Sequence, residues 1–374
     1  MEPYLTTQII TYLGNKRKLL PTIKSIIDDI LVKEQRLNLR LGDGFSGSGI
    51  VSRLFKSYGS ELYTNDIADY SYVLNHCYLA NITPDVSKRL QTLITEANTY
   101  ADDYANPNNR FAKPAFISGN WAPKTEKIEL GERVYFTYEN GKRIDILRNF
   151  IETLREPYKT ILLGRLLVEV SIHNNTNGQF SAYYKGEDQR GQYGGKHSID
   201  LQRIAAPIVL SMPVSMHLNN KVSISKCDTI EWARNIPPLD FVYYDPPYNK
   251  HPYSIYYFML NIVAEWNTAI KIPETTRGQP LDWHRSAYNS FKHATKEFDT
   301  LISITKARYI LISYNSGGII PVDTMDAILG KYGTVSKIPV EHKTYNRLKG
   351  ISEYKRTTQK EAIKEFFWLL QKST

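Results

Sequence analysis

The 374-residue sequence predicts an α/β fold, a mostly parallel sheet of about seven strands interrupted by an inserted module. Three observations carry this expectation. Helix-period and strand-period apolar segments alternate, a glycine cluster follows the first strand pattern, and the regularity lapses once in the middle of the chain. Leu20, Ile23, Ile26, Ile27, Ile30 and Leu31 fall at helical spacing, and apolar residues then alternate from Leu37 to Asp43. Past the glycines, Ile50 to Lys56 predicts a short helix, Glu61 to Asp66 a strand and Tyr70 to Leu79 a helix. Strands that alternate with helices form βαβ units and hence a parallel sheet.

From about Asn81 to Glu156, Pro, Asn, Gly and Trp are scattered among Lys and Arg without a sustained apolar period. This predicts an insertion, residues 81–156, between two parts of a main domain, 1–80 and 157–374. Helical spacing from Ile144 to Val170 brings the chain back. Residues 174–196 are rich in Gly, Asn and Tyr, a composition that suits a recognition loop and equally an ordinary surface loop. Strand patterns resume at Lys221 to Asp228, Phe241 to Asp245 and Tyr309 to Tyr314. Val335 to Val340 and Glu365 to Leu370 are expected to pair as an antiparallel edge.

Composition narrows the function. Hydrophobic residues at 42% and charged residues at 23% exclude disorder as the main state. Apolar runs such as Ile161 to Val170 end well short of the roughly 20 residues that span a bilayer. The start, MEPYLTTQII, lacks the pattern of a secretory signal, so a cytoplasmic location is expected. Two cysteines, Cys77 and Cys227, supply neither a disulfide framework nor a four-thiolate zinc site. The net charge of +9, from 47 basic and 38 acidic residues, favours an anionic partner such as nucleic acid. The 27 tyrosines offer rings that can stack on bases, although most must serve in packing.

In an open parallel sheet, ligands bind beyond the carboxyl ends of the strands. The first such end reads Asp43-Gly44-Phe45-Ser46-Gly47-Ser48-Gly49, where glycines permit a sharp turn and the next helix directs amide donors at a ligand. Ser52 stands where the dinucleotide fingerprint has its third glycine, which argues against a nicotinamide cofactor. The second end carries Asp66, spaced as an acid that meets ribose hydroxyls; the competing role is a helix cap. The third is Cys227-Asp228, whose carboxylate could accept from the amine of an adenine or simply close a turn. The fourth is Asp245-Pro246-Pro247-Tyr248. Consecutive prolines fix φ and leave carbonyls without local amide partners. Asp245 and the Pro246 carbonyl can then accept from one amino group while Tyr248 offers a flat face to a base.

These residues together resemble the Dam-like, D12-class N6-adenine DNA methyltransferases, and the order of motifs resembles that family's alpha group. Thr11-Tyr12-Leu13-Gly14-Asn15-Lys16-Arg17-Lys18 is similar to its first cofactor motif, with Tyr12 where tryptophan is common and Lys16 as the contacting lysine. Asp43 to Gly49 is similar to its Phe-x-Gly-x-Gly loop, Asp66 to its ribose acid, Asp228 to its adenine-side acid and Asp245 to Tyr248 to its catalytic tetrapeptide. The segments Tyr248 to Tyr253 and Ser313 to Gly318 look like ones common in restriction-associated members.

The resemblance implies a class I S-adenosylmethionine-dependent methyltransferase fold, Rossmann-like, with the inserted module recognising the target. It implies S-adenosylmethionine held by Tyr12, Lys16, Asp43, Phe45, Gly47, Gly49, Asp66, Asp228 and Asp245, with no metal. The substrate would be an adenine flipped out of double-stranded DNA, handled by Asp245, Pro246, Pro247 and Tyr248. Lys250, Tyr253, Arg277, Arg285 and Lys292, in the stretch 250–292, are the expected DNA contacts, with the basic stretch from Lys343 to Lys372 as a further candidate. A separate cognate restriction endonuclease would be the companion protein. Three alternatives stay open on the sequence: an N4-cytosine methyltransferase, an RNA or protein-amide methyltransferase, and a non-catalytic DNA-binding protein that retains the fold.

Overall fold

A computed structural model describes residues 3–281, 285–340 and 364–373. Its centre is a seven-stranded sheet in the order β3-β2-β1-β4-β5-β7-β6. The strands are β1 (Leu39–Asp43), β2 (Gly59–Asn65), β3 (Lys221–Ser225), β4 (Leu239–Tyr244), β5 (Ala307–Asn315), β6 (Gly333–Val340) and β7 (Glu365–Lys372). The pairs from β3 through β5 are parallel, while β7 runs antiparallel to both β5 and β6.

Alternation along each strand divides its side chains between two cores. Phe241 and Tyr243 of β4 face a cluster with Ile23, Ile27 and Ile30 of the helix Leu20–Glu34. Val242 and Tyr244 face the opposite cluster, with Trp232, Phe298 and Leu329 from the helices Thr229–Asn235, Ala294–Ile304 and Val322–Gly330. Covering both faces is what a parallel sheet requires.

The sequence expectation of an α/β fold with seven, mostly parallel strands holds. The antiparallel pairing of the last two strand patterns also holds, but β7 lies between β5 and β6, so that β6 is the edge strand on that side and β3 on the other. The segment expected to be irregular contains a long helix, Pro84–Asp102. Thr83 caps it by accepting from the Val86 amide, Pro84 occupies its first turn, and Leu90, Leu93, Ile94, Ala97 and Ala101 form its buried face. The helical spacing from Ile144 to Val170 belongs to two helices, Tyr138–Glu152 and Tyr158–Ile172, separated before Pro157, which cannot donate to a continuing helix. Both belong to a third core that also includes Tyr70, Val73 and Leu74 of the helix Asp69–Leu79 and Phe258, Met259 and Ile262 of the helix Phe258–Glu265.

The loop 174–196 is organised around Asn175. Its Nδ2 donates to the carbonyls of Val134 (2.9 Å) and Gln192 (3.2 Å), and its Oδ1 accepts from the Gly194 amide (3.0 Å). Among the described residues no helix is long and apolar enough to cross a membrane, and no cluster of potential metal ligands occurs. Most of the basic stretch from Lys343 to Lys372 lies outside the described residues.

Candidate active site

The glycine turn after β1 is laced to its neighbours on both sides. Gly44 donates to the Tyr243 carbonyl (3.0 Å) and Ser46 to the Asn65 carbonyl (2.9 Å), which ties the loop to β4 and β2. Gly47 has φ +51°, and a Cβ there would lie 2.8 Å from the Tyr12 ring, so this position needs both the left-handed backbone and the missing side chain. Its amide donates to Asp66 Oδ2 (2.8 Å), and the Ala68 amide donates to Asp66 Oδ1 (2.9 Å). Burial raises the Asp66 pKa against the pull of these amides. Thus Asp66 both steadies the entry to the next helix and fixes its carboxylate toward the turn.

These strand ends surround a cavity of about 260 Å³. Tyr12, Phe45, Gly47, Asp66, Asp228, Asp245, Pro247 and Tyr253 line it. Asp228 also caps the helix Thr229–Asn235, accepting from the Ile230 amide at 2.8 Å. The other expected site residues stand behind this wall. Asp43 is fully buried beneath the turn, accepts from Ser52 Oγ (2.6 Å), and is pushed up to about 7 by burial. Gly49, at φ +76°, packs against Asn75, and Pro246 is buried.

At the end of β4, Asp245 faces Lys16, whose Nζ lies 3.2 Å from Asp245 Oδ1 and 2.9 Å from Glu365 Oε1. Both contacts are ion pairs, and Asp245 Oδ1, itself closed to solvent, has no aligned hydrogen bond among the described residues. Burial raises the Asp245 pKa to about 6; Lys16 opposes the rise and Glu365 adds to it. Tyr248 packs edge-on against Tyr314, with ring centroids 6.1 Å apart, and Lys16 Nζ lies 5.9 Å from the Tyr248 centroid.

An aromatic wall closes the amino-terminal side. Tyr12 stacks on Tyr253 (5.3 Å) and Tyr257 (5.0 Å), and its hydroxyl is 3.2 Å from that of Tyr70. The Tyr257 hydroxyl accepts from the Leu13 amide (2.7 Å), and Tyr253 donates to the Leu13 carbonyl (3.3 Å). Sequence reasoning missed Tyr70 and Tyr257. The four-residue spacing of Tyr253 and Tyr257 was an available signal, since such a pair shares a helical face.

Lys250, Arg277, Arg285 and Lys292 are exposed. In sequence they flank Gln279, Pro280, Ser286 and Asn289, which also line the cavity. Arg133, also missed from sequence, fixes this segment by donating to the carbonyls of Pro273 (2.7 Å), Thr275 (3.1 Å) and Asn120 (3.3 Å). Trp121 Nε1 donates to the Arg277 carbonyl (3.2 Å). No local pattern marks a side chain that binds carbonyls so distant in sequence.

Residues 12–328 match the D12 class N6 adenine-specific DNA methyltransferase family. The type II methyltransferase M.CviAII of Paramecium bursaria Chlorella virus 1 is 28% identical over 343 residues, covering 90% of this chain and 92% of that protein. The type II methyltransferase M.NlaIII of Neisseria lactamica is 26% identical over 378 residues, covering 97% and 100%. The type II methyltransferase M.FokI of Planomicrobium okeanokoites is 27% identical over 373 residues, covering 96% of this chain and 52% of that protein. The family match extends from Tyr12 through the glycine turn and the Asp245 corner, and it favours adenine over the N4-cytosine alternative and an enzyme over a non-catalytic binder. The chain therefore belongs to the D12 class of N6 adenine-specific DNA methyltransferases, enzymes that methylate adenine at specific sites in DNA.

Proposed function

We propose that the cavity binds S-adenosylmethionine beside a flipped adenine, with Asp245 holding the N6 amine that is methylated. The observation that carries this reading is that Asp66, Asp228 and Asp245 open into one cavity with the Tyr12 ring and the glycine turn. Its chemistry fits the cofactor: Asp66 accepts from ribose hydroxyls, Asp228 stands at the adenine side, Phe45 supplies apolar contact, and the turn admits a close-lying methionine portion near Tyr12. Asp43 and Gly49 contribute from below by shaping the turn. Bound there, S-adenosylmethionine supplies an electrophilic methyl on its sulfonium.

Asp245 and the Pro246 carbonyl accept the two N6 hydrogens, which aims the nitrogen lone pair and stabilises positive charge as it grows on nitrogen. Pro247 stiffens this corner, and Tyr248 holds the plane of the base. The base must leave the duplex to reach the corner, at a cost of a few kcal/mol. The segment 81–156 and the loops 174–196 and 250–292 form the target-recognition surface. Lys250, Arg277, Arg285 and Lys292 meet phosphates there, while Tyr253 stands at the cavity wall. A cytoplasmic modification enzyme paired with a separate endonuclease is the setting these features suit.

Asp245→Ala tests the reading. Methylation of duplex DNA falls by about 10²-fold or more, while binding of S-adenosylmethionine followed by calorimetry persists. Full turnover by this variant sinks the assignment. Only the ionised Asp245 carboxylate stabilises the positive charge that grows on nitrogen, so kcat declines as the pH drops through about 6.

A further inference from the structure

We propose that Tyr257 is a positioning residue for the cofactor, fixing in advance the turn that presents Tyr12 to the cavity. The inference rests on the reading above that Tyr12 meets S-adenosylmethionine. The turn runs from Tyr12 to Asn15, whose amide donates back to the Tyr12 carbonyl at 3.3 Å. Gly14 takes φ +71° at its third position, and a Cβ there would lie 2.8 Å from Tyr248 Oη, so the turn presses against the catalytic corner and needs glycine at that point. A turn of this kind uses its first carbonyl and its last amide. Both polar groups of its second residue, Leu13, must find partners elsewhere.

Two tyrosines supply them. Tyr257 Oη accepts from the Leu13 amide at 2.7 Å, and Tyr253 Oη donates to the Leu13 carbonyl at 3.3 Å. Both hydroxyls come from one helical turn, since the Tyr257 amide donates to the Tyr253 carbonyl at 3.0 Å. The two residues differ in place. Tyr253 lines the cavity, whereas Tyr257, only 1% exposed, stands at the junction of the short helix Tyr253–Tyr256 with the helix Phe258–Glu265. The Tyr257 ring also stacks on that of Tyr12, with centroids 5.0 Å apart and 22° between the planes. Its effect on a ligand therefore passes through the Tyr12 ring and the Leu13 backbone. A turn held in this way is ordered before the cofactor arrives, so that ordering it takes nothing from the free energy of binding.

The test is Tyr257→Phe in the full-length protein, which keeps the ring and removes the acceptor. Calorimetry with S-adenosylmethionine is expected to give a Kd about three- to tenfold higher, the equivalent of one net hydrogen bond. KM for S-adenosylmethionine rises in step, while kcat at saturating cofactor and duplex oligonucleotide stays within about twofold. A merely structural role would lower the thermal unfolding midpoint or the active fraction and leave Kd where it was. An unchanged Kd, or a loss confined to kcat, overturns the proposal. If Tyr257→Phe does not fold, amide hydrogen exchange in the parent decides: protection of the Leu13 amide in the cofactor-free enzyme supports the proposal, and exchange as fast as in an open loop overturns it. Tyr12→Ala assayed alongside separates the two readings: unaltered cofactor binding there removes the role of Tyr12 itself, whereas weakened binding there with a parental Kd in Tyr257→Phe overturns only that of Tyr257.

Discussion

Asp43 at the end of β1 and Asp145 in the helix Tyr138–Glu152 are both fully buried, and burial pushes both up to about 7. Their surroundings differ. Asp145 accepts from the amides of Phe116, Ile117 and Ser118 and from Ser118 Oγ, so that it caps the short helix Ile117–Asn120 with both oxygens engaged. Asp43 holds Ser52 Oγ with one oxygen, while Oδ1 has no hydrogen-bond partner among the described residues. The helical region uses its carboxylate to complete a structure. The sheet region places an incompletely satisfied one under the turn that meets the cofactor in our reading, where a group kept short of partners has a reason to persist.

Asp145→Ala should have the largest effect on stability, since it strands three amides and a hydroxyl that lose their shared acceptor. A loss of at least about 3 kcal/mol is expected, read as a lower denaturation midpoint. A midpoint within experimental error of the parent would erase the contrast. Asp43→Asn is expected to fold normally but to methylate about tenfold more slowly, because the amide oxygen is a weaker acceptor for the Ser52 hydroxyl and the turn keeps its shape less well.

The same variant sharpens the contrast through pH. A carboxyl whose pKa is about 7 in the folded state and 3.8 otherwise contributes stability that is complete below 3.8 and lost as the pH rises toward 7. Thermal unfolding should therefore show the parent losing stability between those values, with a shallower slope in Asp43→Asn and equal or higher stability above pH 7. An unchanged slope would mean that Asp43 does not titrate as its burial implies. Arg133→Met should have the smallest effect. It frees the 273–278 segment without touching the cavity, so KM for DNA rises about three- to fivefold with kcat nearly constant. A matching fall in kcat would tie the segment to chemistry instead of to binding.

The sheet was legible because its signals are local. Helix Ile50–Lys56 matches the expected range, β1, β2, β4 and β5 lie within two residues of theirs, and residues just beyond the ends of β1, β2 and β4 line one cavity. The segment 81–156 was less legible. Its helix Pro84–Asp102 carries a buried face of five small or apolar residues spread over a mostly polar segment, and proline and asparagine clusters nearby masked that period. The place of β7 between β5 and β6 is set by long-range pairing, which no strand pattern encodes. Glu365 and Arg133 escaped notice for a related reason: an ordinary charged residue acquires its partners only from neighbours that the fold brings to it.

The threading of β7 also constrains the order of assembly during synthesis. Lys16 and Asp245 emerge from the ribosome well before Glu365, and β6 cannot dock on the sheet until β7 has filled the gap beside β5. A nascent chain that has not yet exposed residues 365–372 is expected to hold Lys16 against Asp245 without Glu365 and to lack the strand that joins β6 to β5, so the sheet should reach its full order late, once β7 has emerged.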